Sequence, residues 1–408
     1  MFSYHNHPVA TISEAPLDNK KVLLRAELNV PLDSSGVIVD DHRIKETLPT
    51  INHLRAHNAV VVICSKLGRP HGKFVSGLSL APVAKRLGAL LNKPITMAHD
   101  AHGAAVENLI SRASGGDVIM LENVRFYPEE SKNDSLFARS LAAGIDIYVN
   151  DAFGTAHRDQ ASVTGVPNVV RSYAGFLMEK EVLCLSHVVT PKQPFIAIIG
   201  GAKIEDKIGV ITAFAKKADK ILLGGALANT FLAAQGHAVG RSLYQPDQLN
   251  QAKRLLADFG EVLVLPCDVA VCKHNDDECV TKHVVEVDEI ADDDKALDIG
   301  PKTVAAFKKI LTTARTIVWA GPLGYYESPQ FAAGTKEVAK HIGSCAAFRV
   351  VGGGDTVAVI QEYGLEKNFD HVSTGGGATL DFLANKPMPG LDALIASQKK
   401  FNNAPVGS

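Results

Sequence analysis

The chain has 408 residues, room for two or three domains, with 46% hydrophobic and 21% charged residues. Its formal net charge of -2 argues against bulk electrostatic binding to nucleic acid or membrane. No apolar run reaches about 18 residues, so no membrane-spanning helix is expected. Met1 to Pro16 is polar and His-containing and lacks the apolar core of a signal peptide, so a cytoplasmic protein is expected. The six cysteines include no C-x-x-C. Cys279-x3-His283 is a tolerable ligand spacing, but the remaining spacings fit no standard zinc pattern. Reduced thiols are expected throughout.

Apolar strands alternate with helical segments from end to end. In the first half, strands are read at Lys21–Leu24, Ala59–Cys64, Asp117–Leu121 and Ile145–Val149. Helices are read at Arg43–His57, Leu80–Leu91 and Ser135–Ala143. Tyr173 to Val188 reads as one long, mostly apolar helix. A second series follows, with strands at Phe195–Ile199, Lys220–Leu223, Val262–Leu265, Thr316–Trp319 and Ala347–Val351. Helices there include Asp206–Lys216 and Pro301–Leu311. Asp276 to Asp294 is acidic and reads as a solvated excursion, with a β-hairpin around His283-Val284-Val285. The tail after Pro387 is polar at its end and is expected to fray beyond Lys400.

β-Branched runs buried between helices indicate parallel sheets covered on both faces. The fold expected is α/β. It comprises two doubly wound, Rossmann-like parallel-sheet domains facing each other across a cleft and joined by a helix hinge. The divisions expected are 1–172, the helix 173–188 and 189–387, with the tail from about 388 to 408 packing back on the first domain. In such sheets ligands bind beyond the carboxyl ends of the strands.

Those ends carry the chemistry. In the first half they collect Arg25, Lys66, Arg69, Arg125 and Arg158, with Arg43 opening a helix. One surface arginine is usually only solvated, but five or six on one edge repel each other unless an anion joins them. Glu27, Asn29 and Asp151 sit among them, to orient cations, bind hydroxyls or simply pair. In the second half the ends carry glycines: Gly200-Gly201-Ala202-Lys203 through Lys207, Gly224-Gly225, Gly321-Pro322, Gly352 to Thr356 and Gly375 to Gly377. Backbone so exposed suits a nucleotide phosphate. Lys203 and Lys207 share a face if both are helical. Thr356 is a candidate helix cap and Asp355 a candidate cation ligand. No G-x-x-x-x-G-K-[ST] and no complete G-x-G-x-x-G after a strand occur. The residues alone thus indicate one domain for a small polyanion and another for a nucleotide.

At these motifs the chain resembles phosphoglycerate kinases over essentially its full length. The resemblance is carried by Arg25 to Pro31, Leu67 to Pro70, Glu122 to Phe126, Asn150 to Arg158, Gly200 to Lys207, Leu297 to Pro301, Gly352 to Thr356 and Ser373 to Gly377. It implies reversible phosphoryl transfer between 1,3-bisphosphoglycerate and ADP, with Mg2+. It implies a phosphoglycerate site of Arg25, Asn29, Arg43, Arg69, Arg125, His157 and Arg158, with Glu27 and Lys66 in the same patch. For the nucleotide it implies Gly201, Ala202, Lys203 and Lys207 along the phosphates, Gly225 and Leu297 at the base and Glu327 at the ribose. Gly353, Gly354, Asp355 and Thr356 would lie at the phosphates, Asp355 at the metal. Arg43, Lys203, Lys207 and Gly376 are the candidates for catalysis. Closure about the Tyr173–Val188 helix and the Thr374–Leu380 region is expected, in a monomer.

The chain departs from the family pattern at three of these places. Glu27 stands where Asp is usual, Lys66 where His is usual, and Ala320 where Asn usually precedes Gly-Pro. A longer acid and a longer base could compensate each other if they are neighbours. The departures leave a second reading open: a catalytically weakened paralogue that binds nucleotide or phosphoglycerate as a sensor or partner. A nicotinamide oxidoreductase is disfavoured by the missing fingerprint.

Overall fold

The structure is a computed structural model and describes residues 1–205, 207–275 and 278–402. It divides into two compact units, Met1–Leu183 with Pro387–Ser408, and Cys184–Lys386.

In the first unit an antiparallel hairpin of β1 (Phe2–Tyr4) and β2 (His7–Val9) precedes the main sheet. That sheet comprises β3 (Lys21–Ala26), β4 (Val60–Cys64), β5 (Thr96–Met97), β6 (Val118–Met120), β7 (Ile147–Asp151) and β8 (Ser172–Ala174). Its order is β5-β6-β4-β3-β7-β8, with every pairing parallel. The run Val60 to Cys64 is buried at every residue, as expected of a strand covered on both faces. Arg25 pairs with Cys64 on one side and Asn150 on the other.

The second unit is built on β9 (Phe195–Ile199), β10 (Lys220–Leu223) and β11 (Leu263–Val264). Between these and the rest lies an antiparallel ribbon of β12 (Asp268–Asn275), β13 (Glu278–Glu286) and β14 (Asp294–Ile299). Then come β15 (Thr316–Ala320), β16 (Phe348–Gly352) and β17 (His371–Val372). The parallel sheet is ordered β11-β10-β9-β15-β16-β17, the 3-2-1-4-5-6 pattern of dinucleotide-binding folds. Its direction of winding reverses between β9 and β15.

Several expectations need correction. Tyr173 and Ala174 belong to β8, not to a helix, because Tyr148 to Asn150 of β7 pair with Ser172 to Ala174. The helix begins only at Phe176 and ends at Val189. The acidic stretch is not a mere excursion, since β12, β13 and β14 form a sheet with its own apolar cluster around Val269, Val271 and Ile290. Asp276 and Asp277 lie outside the described residues, as does Asp206, the expected start of a helix seen over Ile208–Ala215. Cys64, Cys184, Cys267 and Cys345 are free, but Cys272 is disulfide-bonded. Compartment and ligand spacing carry no information on which thiols the fold brings together. The C-terminal tail is helical over Pro389–Asn402 and buries Leu391, Leu394 and Ile395 in the first unit, while 403–408 lie outside the described residues.

The helix Phe176–Val189 runs from one unit into the other, and each end is held by an ionisable side chain. At its start the fully buried Asp151 accepts from the Leu177 and Met178 amides at 2.8 and 3.1 Å. A Cβ on Gly175 would sit 2.2 Å from the same Asp151 oxygen, so the chain must be glycine there. At its end Lys217 donates to the Val188 and Val189 carbonyls at 3.0 and 2.8 Å. An anion at the N-terminus and a cation at the C-terminus both complement the helix dipole and satisfy its orphan groups.

Burial lifts the Asp151 carboxyl from 3.8 to about 6, against the pull of Thr50 and the two amides. The folded value stands above the unfolded one. Its stabilising contribution is therefore full below about pH 4 and is lost as pH rises through 6. Asp151→Asn, which does not titrate, should cost more stability at pH 4 than at pH 8, as read from urea midpoints. An equal cost at both would refute the assignment.

Candidate functional site

In the first unit the three central strands end at a common edge, and their exits are tied to one another. The Ser65 hydroxyl donates to the Ala26 carbonyl at 2.8 Å and accepts from the Leu28 amide at 3.2 Å. Asn29 accepts from the Gly68 amide at 2.8 Å through its side chain. These bonds carry the β3–β4 pairing past the last ladder partners.

On this frame the expected cations gather. Arg43, on the helix His42–Ala56, donates to the Glu27 carboxylate at 3.3 Å and to the Asn29 carbonyl at 2.8 Å. Glu27 is buried, and its second oxygen has no hydrogen-bond partner. Gly154 presses on that oxygen, and a Cβ there would lie 2.8 Å from it. Lys66 and Arg125 are half-buried, while Arg69 and Arg158 are exposed. Burial and then Arg25, Arg158 and Arg69 hold the Arg125 guanidinium below its ordinary value, with Glu130 opposing them. Desolvation brings Lys66 down to about 8. His157 is half-buried on the loop after β7 that also carries Arg158.

Arg25 is placed differently from the rest. It is fully buried, donating to the Ser162 hydroxyl at 2.9 Å and to the Ala26 carbonyl at 2.6 Å. Ser162 in turn donates to the buried Glu130 at 2.6 Å. One terminal nitrogen of Arg25 has no partner. Arg25 thus lies under the edge, and only that nitrogen is uncommitted.

In the second unit the winding of the sheet reverses between β9 and β15, and the backbone there packs directly on backbone. The Gly201 amide donates to the Pro322 carbonyl at 2.8 Å, Gly225 to Leu323 at 2.8 Å and Leu227 to Gly201 at 2.9 Å. Gly225 has φ +66°, and a Cβ would meet the Gly201 nitrogen and oxygen at 2.9 and 2.8 Å. A cavity of about 630 Å3 opens above this floor. Gly201, Ala202, Gly225, Leu297, Glu327 and Asp355, all named in the sequence analysis for a nucleotide, line it.

The remaining expected residues lie elsewhere. Lys203, Lys207, Gly353, Gly354 and Thr356 are not among the lining residues. Lys203 and Lys207 do not share a helical face: the helix starts at Ile208, Lys207 is its N-cap, and Lys203 sits in the preceding turn, 62% exposed. Thr356 does not cap its helix. Gly353 takes that place at φ +92°, and the buried Thr356 hydroxyl accepts from the Gly321 amide at 2.6 Å. Thr356 therefore joins two of the glycine turns. Gly376 precedes the helix Gly377–Leu383 at φ +55°. Ala320 is the buried last residue of β15, paired with Ile199 and Gly352.

Asn229, Asp298 and Tyr326 also line the cavity but were not among the expected contacts. Asp298 accepts from the Ile299 and Gly334 amides at 2.9 and 2.8 Å. Burial pushes its carboxyl up to about 7, against those amides and Lys282. It comes from β14, outside the parallel sheet, so a search of that sheet's strand ends passes over it. Tyr326 lies in the loop after β15 and the same search could have found it.

A 3-2-1-4-5-6 sheet with a backbone-floored cavity at its switch point, and a second sheet whose edge crowds cations, define an enzyme acting between a nucleotide and a small anionic substrate. The family described as "Phosphoglycerate kinase" matches residues 12–386. Phosphoglycerate kinase of Thermosipho africanus is 46% identical over 400 residues, covering 96% of this chain and 99% of the relative. That of Pelotomaculum thermopropionicum is 45% identical over 389 residues, covering 94% and 98%. The structure from Pyrococcus horikoshii OT3 superposes with a TM-score of 0.86 at 35% identity, covering 96% and 100%. That from Coxiella burnetii gives 0.84 at 38%, covering 95% and 99%. The chain belongs to the phosphoglycerate kinase family. Its reaction is ADP with 1,3-bisphosphoglycerate to give ATP and 3-phosphoglycerate.

Gly225→Ala should weaken nucleotide binding by about tenfold or more, because the new methyl displaces the Gly201 backbone and strains a left-handed residue. Fluorescent-nucleotide titration checks this, and unchanged affinity would mean that the floor is not where the nucleotide lies.

Proposed function

We propose that the first unit binds the phosphoglycerate through Arg25, Glu27, Asn29, Arg43, Lys66, Arg69, Arg125, His157 and Arg158. One observation carries this: Arg25, Arg158 and Arg69 all act on the partly desolvated Arg125, with Glu130 opposing them. Such crowding is relieved when a polyanion enters. In the second unit the nucleotide lies in the cavity between the β9 and β15 exits. Its base and ribose are towards Gly225, Leu297 and Glu327, and its phosphates towards Gly201, Ala202, Lys203, Lys207 and the Gly353–Thr356 turn.

The reacting oxygens are an ADP phosphate in one direction and a carboxylate in the other. Both are ionised near neutral pH, so no general base is required. What the transfer requires is in-line placement and neutralisation of spread negative charge. Arg43 serves from the phosphoglycerate side. Lys203, Lys207 and the Gly376 turn serve from the nucleotide side. Glu27 and the Asn29 carbonyl hold the Arg43 guanidinium in one direction before substrate arrives.

Mg2+ fits as a group borne by the nucleotide. Asp355 is an exposed carboxylate lining the cavity, and no group of three or more His, Cys, Asp or Glu suited to a metal occurs among the described residues. One carboxylate plus substrate phosphates is a usual Mg2+ arrangement, and the ion would offset phosphate charge. Asp355 would hold it.

The two sites belong to separate units, so transfer requires that they meet. The helix Phe176–Val189 and the Thr374–Leu380 region serve as hinges, in a monomeric, cytoplasmic enzyme. Among the described residues no helix is long and apolar enough to cross a membrane. Nothing in the chain's relatives favours the weakened-paralogue reading.

Purified protein with ATP, Mg2+ and 3-phosphoglycerate in a coupled assay should turn over. Lys203→Ala or Arg43→Ala should lower kcat by about a hundred- to a thousandfold. Binding of either substrate without turnover would instead establish the paralogue. Small-angle scattering should show a smaller radius of gyration with both substrates than with neither, and no change would remove the hinge.

A further inference from the structure

Lys203 lies on the turn between β9 and the helix Ile208–Ala215, outside the regular bonding of either element. Its ion pair with Glu205, at 3.8 Å, is exposed on both sides and holds it loosely. Ile204, next in the chain, is the fixed point of the turn. Its side chain is fully buried, and its carbonyl accepts from the Lys207 and Ile208 amides at 2.8 and 2.9 Å. Its amide donates to the side-chain oxygen of Gln245 at 2.6 Å, across 41 residues of chain. Only the oxygen of a glutamine amide can accept, so this bond also fixes which way that side chain faces.

Gln245 ends a strap, Arg241 to Gln245, that is itself tied down along its length. The Arg241 amide donates to the Asp294 carbonyl at 2.8 Å, and the Ala296 amide to the Ser242 hydroxyl at 2.8 Å. Asn229 donates to the Leu243 carbonyl, and the Gln245 amide to the Thr230 hydroxyl, both at 3.1 Å. Asp294 and Ala296 belong to β14, and Asn229 and Thr230 to the helix Gly225–Gln235. Leu243, in the middle of the strap, lines the nucleotide cavity. Gln245 also stands at the N-cap of the short helix Pro246–Gln248, but its side chain makes no capping bond there. It serves the Lys203 turn instead of its own helix.

We propose that Gln245 is a positioning residue for phosphoryl transfer: by holding the Ile204 amide it sets where the Lys203 ammonium meets the nucleotide phosphates. The inference rests on the placement of Lys203 at those phosphates. The Ile204 amide belongs to the planar peptide unit that joins it to Lys203, so a bond to that N–H fixes the plane from which the lysine departs. Transfer tolerates little displacement, since a misplacement of about 1 Å can cost on the order of a hundredfold in rate. A side chain whose own backbone is locked by hydrogen bonds is suited to such support.

Steady-state kinetics of the full-length chain in the coupled assay test this. Gln245→Met keeps the length of the side chain and loses its carbonyl, whereas Gln245→Glu keeps an acceptor oxygen. Gln245→Met should lower kcat roughly tenfold and leave KM for 3-phosphoglycerate unchanged, while Gln245→Glu should keep kcat within about threefold. In a Lys203→Ala background, Gln245→Met should have almost no further effect on kcat, because the glutamine acts through that lysine. Full additivity of the two losses would overturn the role of Gln245 and leave the placement of Lys203 standing. Equal losses in the Met and Glu variants would do the same. So would a Gln245→Met protein whose urea midpoint falls while its kcat does not, since the bond would then serve stability alone. An unchanged kcat in Lys203→Ala would remove the placement of Lys203 itself, and this inference with it.

Discussion

Parallel strand pairing is the constraint from which the rest of this molecule follows. When neighbouring strands run the same way, all their carboxyl ends arrive at one edge, and the loops that leave them are forced into contact. In the first unit Arg25, Cys64 and Asn150 share one level across three strands. Two residues beyond those register partners stand Glu27 and Lys66. In the second unit Ala320 pairs with Ile199, so Gly200 and Gly321 emerge together and their backbones interlock. Strand register sets the centre of each edge, and other elements complete it: Arg43 from a helix in the first unit, Leu297 and Asp298 from the antiparallel ribbon in the second.

The two edges use this crowding in opposite ways. One concentrates side-chain charge and keeps it unbalanced, with the few carboxylates present, Glu27 and Glu130, committed to holding Arg43 and Ser162. The other removes side chains almost entirely. Glycine there serves close approach: at Gly200 a Cβ would fall 2.1 Å from the Pro322 carbonyl oxygen. An electrostatic surface that waits for its counter-ion suits a small polyanion. A floor of peptide groups suits an extended phosphate chain.

Much of this was legible in the sequence because the signals were local. Buried β-branched runs such as Val60 to Cys64 mark strands, and the residues after them mark the sites. What escaped depended on contacts distant in sequence. Tyr173 and Ala174 look helical until β7 offers them a ladder. Thr356 has the type and place of a helix cap, yet Gly321, 35 residues away, supplies its hydrogen. Arg25 has the same sequence context as its neighbours, and only the Ser162–Glu130 network shows that it lies beneath the surface. Asp298 enters the cavity from an antiparallel ribbon that the strand-end rule does not cover.

The interlocked glycine floor also limits how such an enzyme can change. A surface made of peptide groups offers almost nothing for mutation to vary: Gly200, Gly225 and Gly321 meet other backbone atoms within 3 Å of any added carbon. With the nucleotide placed as proposed, variation in nucleotide choice must enter through lining residues that present side chains, such as Asn229, Leu297 and Tyr326. A randomised library spread over the whole cavity would spend most of its diversity on non-viable floor variants. One restricted to those side chains would sample preference while leaving the glycine floor intact.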